Sequence, residues 1–206
     1  MIKKNFSLLY IVGWCRSGST IVGNLLNEVN GFFHAGELHY LWRNTKGLGS
    51  NTVCGCGAEI TRCSVWSEVI GRLGLRGDWS RVVSEVIDMQ KMCRTRHTWQ
   101  ILRSPEKRKK LESYTEAYLD VCDAIAEITG SRVLIDGGKF ASEAALLRSS
   151  GRVSAQQNGE LKGRGMLKVP LLALGSDQGS IADIATPLRA FFADVQGRTI
   201  THRSEI

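Results

Sequence analysis

Apolar runs and polar turns alternate near the start of the chain in an order that predicts strand, loop, helix and strand. Residues 8–12 form a short apolar run that ends in a β-branched pair, typical of a central parallel strand buried on both faces. Beyond a polar turn, apolar residues recur at helical spacing, so we expect a helix that begins near Ser19 and ends at Asn30. Residues 32–35 follow as a second short strand, which indicates the beginning of a parallel sheet.

The middle of the chain changes from a polar loop to a helical pattern. Residues 43–59 are glycine-rich, polar and aperiodic, which predicts a loop that faces the substrate. From residue 60 to residue 129 the apolar spacing is predominantly helical, with Asp78 or Ser80 as an N-cap and Gly130 closing a long helix. These helices are expected to form an insertion that covers the sheet and shapes an acceptor pocket.

The pattern then returns to a strand and a helix before it becomes irregular. Residues 133–136 predict a strand, and residues 144–147 a helix that packs back on the sheet. Every Trp, Tyr and Cys lies before Ser149, and residues 149–165 are polar and glycine-rich. We therefore predict an α/β protein with a P-loop-like parallel sheet flanked by helices. Its domain covers residues 1–150, with a helical insertion at about 60–130. An atypical tail covers 151–206, which leaves open whether the sheet is complete at its C-terminal side.

Composition narrows the class of protein but adds little about its ligand. The 206 residues, 43% hydrophobic and 23% charged, are within the range of one globular domain. The net charge of +7 suits a polyanionic ligand or an acidic substrate, yet many basic proteins carry as much. The densest basic run, residues 103–110, lacks interleaved aromatic residues, so we expect a solvated helix start and no nucleic-acid partner.

Membrane and targeting signals are weak. No apolar run reaches the roughly 20 residues that a membrane-spanning helix needs. Residues 1–6 resemble the basic flank of a signal peptide, but the apolar run that follows is too short for its hydrophobic region. A cytoplasmic protein is the expectation, and the pattern does not indicate an oligomeric state.

The first turn carries the residues of an anion site. Gly13 to Thr20 fits the phosphate-loop pattern G-x-x-x-x-G-K-[ST] at every specified position except that Ser19 replaces the lysine. An NTPase needs that lysine on the β- and γ-phosphates, so nucleotide hydrolysis loses its main cation. Arg16 still offers a planar fork for a phosphate or sulfate group. The alternative is an ordinary strand, turn and helix whose glycines serve only the turn.

Three segments together resemble the sulfotransferases that use 3′-phosphoadenylyl sulfate (PAPS). The segment Arg16-Ser17-Gly18-Ser19-Thr20 resembles their 5′-phosphosulfate loop. Residues 33–37, followed by Leu41-Trp42, are similar to a Gly-Glu pair that precedes an aromatic helix. Residues 133–139 resemble a strand that ends in Asp-Ser-Ser-Lys, with glycines in place of the serines. The resemblance spans residues 7 to about 150, and the first motif is the most specific.

The resemblance implies transfer of a sulfuryl group from PAPS, as co-substrate, to a hydroxyl or amine of a small-molecule, carbohydrate or peptide acceptor, without a metal. Glu37 takes the place of the proposed general base of the protein-tyrosine sulfotransferases, and Lys139 that of the lysine that contacts the transferring group. The binding of PAPS is assigned to the loop residues Arg16, Ser17, Gly18, Ser19 and Thr20, and Arg16 is also counted with the catalytic residues.

Both catalytic assignments have alternatives. In an open parallel sheet, ligands bind at the carboxyl ends of the strands, where Glu37 would lie. Glu37 could instead be an N-cap or part of a surface ion pair, and Lys139 a solvated lysine after a strand. His34 and His39 are further candidates for a base.

The chain departs from the family pattern in one respect that bears on activity. The PAPS-dependent sulfotransferases bind the 3′-phosphate of the donor with an Arg-Asp-x-Arg segment, which is absent from this sequence. Either the tail supplies the contact through Arg148, Arg152 or Arg164, or the chain is altered beyond about Ser150 and donor binding is impaired. A catalytically silent, anion-binding remnant and a nucleotide-dependent kinase therefore stay open as alternatives.

Three cysteines stand close together in the sequence. Cys54, Cys56 and Cys63 look like the Cys-x-Cys-Gly segment of many bacterial sulfotransferase-like chains. Their spacing is not a usual zinc pattern, and a fourth ligand would have to come from elsewhere, such as Cys93 or His39. We expect reduced structural cysteines and no metal; a disulfide is the alternative if the protein is exported.

Overall fold

The computed structural model describes residues 6–13, 18–74, 78–150, 154–157 and 171–175. The strands are β1 (Ser7–Val12), β2 (Phe32–His34), β3 (Val133–Lys139), β4 (Ser154–Gln157) and β5 (Leu171–Gly175). The α-helices are α1 (Ser19–Asn27), α2 (Leu38–Thr45), α3 (Ser64–Gly74), α4 (Trp79–Gln90), α5 (Thr98–Arg103), α6 (Pro105–Lys110), α7 (Glu112–Thr129) and α8 (Ala141–Ser149). Two 3₁₀ turns cover Ile60–Arg62 and Thr95–His97.

The strands form one mixed sheet in the order β2-β3-β1-β5-β4. β2, β3 and β1 are parallel, whereas β5 runs antiparallel to β1 and β4 antiparallel to β5. The α/β class is confirmed, and the three parallel strands flanked by helices are compatible with a P-loop-like layout. The expectation of a parallel sheet is wrong for β5, which adds to the free side of β1 in the opposite direction; β4, antiparallel to β5, runs in the direction of β1.

The core lies on both faces of β1, as its unbroken apolar run predicts. Leu8 and Tyr10 belong to the larger core, which contains residues of β3 and of α2 to α5, α7 and α8. Leu9 and Ile11 belong to the smaller core, beneath α1. Because successive strand residues point to opposite faces, β1 is covered by helices on each side.

Several element boundaries confirm local signals in the sequence. Asp78 is the N-cap of α4 and accepts a hydrogen bond from the backbone N–H of Arg81 at 3.2 Å. Gly130 closes α7 in the left-handed conformation that glycine adopts without a Cβ clash. The first helix ends at Asn27, earlier than the predicted Asn30, and the backbone then turns through Gly31 at a φ of 84°.

None of the helices in the described part of the chain combines the length and the apolar content that a bilayer crossing needs.

Candidate functional site

The carboxyl ends of the three parallel strands meet at one edge of the sheet, and backbone hydrogen bonds join the segments that follow them. Gly13, directly after β1, donates its N–H to the carbonyl oxygen of Lys139 at 3.3 Å. Gly137 in β3 donates to the carbonyl oxygen of Gly36, which follows β2, at 2.7 Å. The Gly36-Glu37 segment is therefore held against the end of β3.

Glu37 and Lys139 form an ion pair at this edge, in which the ammonium of Lys139 donates to Oε1 of Glu37. The pair is partly buried, since the side chains of Lys139 and Glu37 are 18% and 30% exposed. Glu37 directly precedes α2, but its side chain makes no capping hydrogen bond to that helix. Two predicted catalytic residues, 102 positions apart in the sequence, thus lie in contact.

The end of β3 has an unusual backbone. Lys139 has a φ of 67°, a left-handed conformation that costs an L-residue with a Cβ roughly 1–2 kcal/mol. Gly138 before it packs so closely on Tyr10 that an added Cβ would lie 2.5 Å from the phenol oxygen. A side chain at this position would therefore press on Tyr10.

Asp136 connects β3 to the start of α2 from inside the core. Its fully buried carboxyl group accepts hydrogen bonds from the backbone N–H of Leu38 at 3.1 Å and from the phenol of Tyr118. Burial, with the nearby charge of Glu143, raises the pKa of Asp136 to about 7. Because Leu38 follows Glu37 directly, Asp136 positions the backbone that carries the Glu37 carboxylate.

Glu143 forms the centre of a buried polar network beside Asp136. It accepts hydrogen bonds from the phenols of Tyr10, at 2.7 Å, and Tyr114, and its Oε1 lies 2.8 Å from Nδ1 of His39. Burial raises the pKa values of Tyr10 and Tyr114 well above the usual value, so both phenols keep their protons and act as donors. His39 is part of this network and lines neither cleft described below.

Two clefts open on either side of Glu37, and Glu37 and Tyr40 belong to both. The first, of about 420 Å³, we name the asparagine cleft; it is lined by Thr20, His34, Gly36, Glu37, Tyr40, Asn44, Ser50, Asn51 and Gly137. The second, of about 310 Å³, we name the arginine cleft; it is lined by Gly13, Glu37, Tyr40, Arg94, Thr95, Arg96, Gly138, Lys139 and Phe140.

Two exposed arginines give the arginine cleft its positive charge. Arg94 and Arg96 lie at the 3₁₀ turn between α4 and α5, and neither belongs to an ion pair with another residue of the described ranges. The sequence pattern did not single them out, although the basic segment at 94–97 is visible in the sequence. Arg148, one of three arginines considered from the sequence, is exposed near the end of α8 and lines neither cleft. The other candidates, at positions 152 and 164, lie outside the described residues.

His34 lines the asparagine cleft and packs on α1. Its Nδ1 lies 2.9 Å from Oδ1 of Asn24, and its ring occupies the space that a side chain at Gly23 would need. Burial lowers the pKa of His34, while the charge of Glu37 opposes that shift. The neutral imidazole is therefore favoured.

The structure covers part of the predicted donor loop. Arg16 and Ser17 lie outside the described residues. Gly18 has a φ of 80° and is the N-cap residue of α1, where, as a glycine, it has no side chain to cap the helix. Ser19 is buried, whereas Thr20 is exposed and lines the asparagine cleft. The start of α1 thus faces the same region as Glu37, with backbone N–H groups of the kind that bind anions.

The three clustered cysteines lie together outside both clefts. The sulfur atoms of Cys54, Cys56 and Cys63 are all within 4.8 Å of one another. A hydrogen bond from the backbone N–H of Ala58 lowers the pKa of Cys56, whereas burial raises that of Cys54 to about 11. The fourth ligands considered from the sequence, Cys93 and His39, are not members of this group.

Comparison with protein-family models, with curated proteins and with solved structures found no match to this chain.

Proposed function

We propose that this protein transfers a sulfuryl group from PAPS to a hydroxyl or amine acceptor. The observation that carries the proposal is the contact between Glu37 and Lys139 at the carboxyl edge of the parallel strands, one hydrogen bond away from Gly13, where the predicted donor loop begins. A carboxylate and an ammonium in contact at such an edge supply a proton acceptor and a charge stabiliser within reach of one reacting centre.

The arginine cleft suits the donor. PAPS carries a sulfonate, a bridging phosphate and a 3′-phosphate, and this cleft combines the ammonium of Lys139 with the exposed guanidinium groups of Arg94 and Arg96. Guanidinium groups bind phosphate oxygens through two parallel hydrogen bonds. We assign the 3′-phosphate contact to this arginine pair, which would serve in place of the missing Arg-Asp-x-Arg segment.

The asparagine cleft suits a polar acceptor. Its lining is rich in uncharged donors and acceptors, among them the amides of Asn44 and Asn51 and the hydroxyl of Ser50. Such groups orient hydroxyl-bearing molecules, including carbohydrates and peptides. Glu37 lies between the two clefts, where an acceptor in one would approach a sulfuryl group from the other.

In the proposed reaction, the acceptor oxygen or nitrogen attacks the sulfur atom in line with the bond to the bridging oxygen. A new bond to sulfur forms while the bond between sulfur and the bridging oxygen breaks. The electron pair of the broken bond stays on the phosphate of 3′-phosphoadenosine 5′-phosphate, the desulfonated product. Glu37 accepts the proton of the acceptor, and Lys139, with Arg16 and the loop N–H groups, stabilises the negative charge that develops on the oxygens.

The test is a transfer assay with ³⁵S-labelled PAPS and a panel of phenolic, carbohydrate, amine and peptide acceptors, beside thermal-shift titration with the desulfonated product. The expected result is labelled acceptor without added metal, and an increase in Tm with the product. Binding of the product without transfer to any acceptor would identify a silent remnant and overturn the proposed enzyme. A requirement for ATP and Mg²⁺ would overturn it in favour of a kinase.

A further inference from the structure

A compact turn brings three thiol groups together at the end of the polar loop. The bridge between Val53 and Glu59 closes the turn that contains Cys54 and Cys56, and Cys63 lies immediately before α3. The Sγ atom of Cys63 is 3.5 Å from that of Cys54 and 3.7 Å from that of Cys56. Since all three sulfur atoms lie within 4.8 Å of one another, they form a small triangle.

The size of this triangle matches a metal site better than a disulfide. Ligands at the Zn–S distance of about 2.3 Å, arranged as a tetrahedron, lie about 3.8 Å from one another. The separations of 3.5 and 3.7 Å are close to that value. A disulfide would bring two of the sulfur atoms to about 2.0 Å and leave the third thiol unused.

Backbone donors around the sulfur atoms support the same interpretation. The N–H of Cys56 is hydrogen-bonded to the sulfur of Cys54, and the N–H of Ala58 to the sulfur of Cys56. Metals bind cysteine as the thiolate, and these N–H groups would donate to the ligating sulfur atoms. Three thiolates so close together repel one another, and a divalent cation between them would remove that repulsion.

We propose that Cys54, Cys56 and Cys63 bind one Zn²⁺ ion as three thiolates, with a water molecule as the fourth ligand on the exposed side of Cys56. Thiolate ligands select zinc over magnesium and calcium, which prefer oxygen. Each thiol releases one proton when the metal binds. This inference does not depend on the proposed sulfuryl transfer, and it replaces the expectation of reduced structural cysteines.

The site would anchor one wall of the asparagine cleft. Ser50 and Asn51 line that cleft, and the next residue, Thr52, accepts a hydrogen bond from the N–H of Ile60 at 2.8 Å. Cys63 is 4% exposed and packs in the core with Trp66 of α3. A metal bound to all three cysteines would therefore fasten the loop to α3.

The experiment is a titration of the reduced, metal-free full-length protein with Co²⁺, followed by Zn²⁺. The expected result is one Co²⁺ per chain, with thiolate-to-cobalt charge-transfer absorption and the visible bands of tetrahedral cobalt, and loss of both when Zn²⁺ displaces it. A cobalt spectrum that stays that of the hydrated ion would overturn the proposal.

Two variants separate the site from the other thiols of the chain. Cys56 is exposed, so Cys56→Ser should keep the fold. Its Zn²⁺ affinity should fall by more than the roughly 10- to 100-fold that a change outside the ligand shell costs. Cys93→Ala, in the core and outside the cluster, should retain both the cobalt spectrum and the affinity. Equal affinity in the two variants would overturn the assignment to this cluster.

Discussion

The backbone N–H of Gly13 donates a hydrogen bond to the carbonyl oxygen of Lys139. This bond joins the first residue of the predicted donor loop to the residue whose ammonium contacts Glu37. The backbone ladder between β1 and β3 thereby fixes the distance between two groups that sequence patterns alone place only in the same general region.

Replacing Glu37 by Gln should lower the rate of sulfuryl transfer by about 10²- to 10⁴-fold, the usual contribution of a general base. The amide keeps the shape of the side chain, so binding of the desulfonated product, measured by calorimetry, should persist. Glu85→Gln is the matched control, since Glu85 forms an exposed ion pair with Arg81 and lines neither cleft. A Glu37→Gln protein with full activity would remove Glu37 from the mechanism.

Arg94→Ala and Arg96→Ala should each weaken binding of the desulfonated product by roughly 1.5–3 kcal/mol, the range for a hydrogen bond to a charged group. Their effect should shrink at high salt because both guanidinium groups are exposed. Lys91→Ala removes an equal charge on the exposed surface and should leave the affinity unchanged. Affinities that stay the same in both arginine variants would contradict the assignment of the donor to the arginine cleft.

Gly138→Ala should destabilise the protein by roughly 1–3 kcal/mol, since the added methyl group would press on the phenol of Tyr10. Gly71→Ala supplies the opposite control: it lies inside α3 with open space around its Cβ, and should stabilise the protein by up to about 1 kcal/mol. Urea unfolding of the two variants and the parent measures both effects. Equal stability of all three proteins would refute the close contact at Tyr10.

Lys139→Gly should be more stable than Lys139→Ala by about 1 kcal/mol, because only glycine adopts the left-handed backbone at this position without a Cβ clash. Both variants lose the ammonium, so both should lose transfer activity to the same extent. The comparison separates the backbone cost of the position from the chemistry of its side chain. Equal unfolding free energies would show that the left-handed conformation carries no cost there.

Asp136 should make the protein less stable as the pH rises from about 4 to about 7. With a native pKa of about 7 and an unfolded pKa near 4, the native state binds more protons than the unfolded chain in this window. Between these two pKa values, the contribution of Asp136 to the free energy of unfolding falls by up to about 1.4 kcal/mol per pH unit. Below and above this range it is constant.

Asp136→Asn removes this contribution, and its unfolding free energy should vary less between about pH 4.5 and about pH 7.5 than that of the parent. Asp88→Asn, at an exposed ion pair with Lys91, should keep the pH profile of the parent. Parallel profiles for the parent and Asp136→Asn would show that Asp136 titrates alike in both states.

The spacing of apolar residues predicted the strands and helices that bury a clear apolar face. β1, α7 and β3 carry strong apolar patterns, and each lies close to its predicted place. α5 lies within the region predicted to be helical but was not distinguished as a separate helix, because its six residues are too few to show a helical period. β4 is the short segment Ser-Ala-Gln-Gln, which has no apolar alternation to mark a strand; its pairing with β5 is a tertiary property.

Sequence motifs predicted the residues of the candidate site that lie in local segments. They did not predict the residues whose role depends on contacts between distant parts of the chain. Glu37 and Lys139 lie in segments with recognisable motifs. The hydrogen bond between Tyr10 and Glu143 joins residues 133 positions apart. Nothing in the local sequence distinguishes Glu143 from any other glutamate of a helix. Arg94 and Arg96 were missed because a basic segment in a helical region is usually a solvated surface.

Glu37 contributes to the walls of both clefts, so the two cannot be filled independently. A negatively charged occupant of the arginine cleft would compete with Glu37 for the ammonium of Lys139. An occupant of the asparagine cleft would then contact a Glu37 carboxylate that has lost its ion-pair partner. By thermodynamic reciprocity, if the first molecule changes the affinity of the protein for the second by some factor, the second changes the affinity for the first by the same factor. One shared side chain would thus couple the occupants of the two clefts, with no movement of a domain.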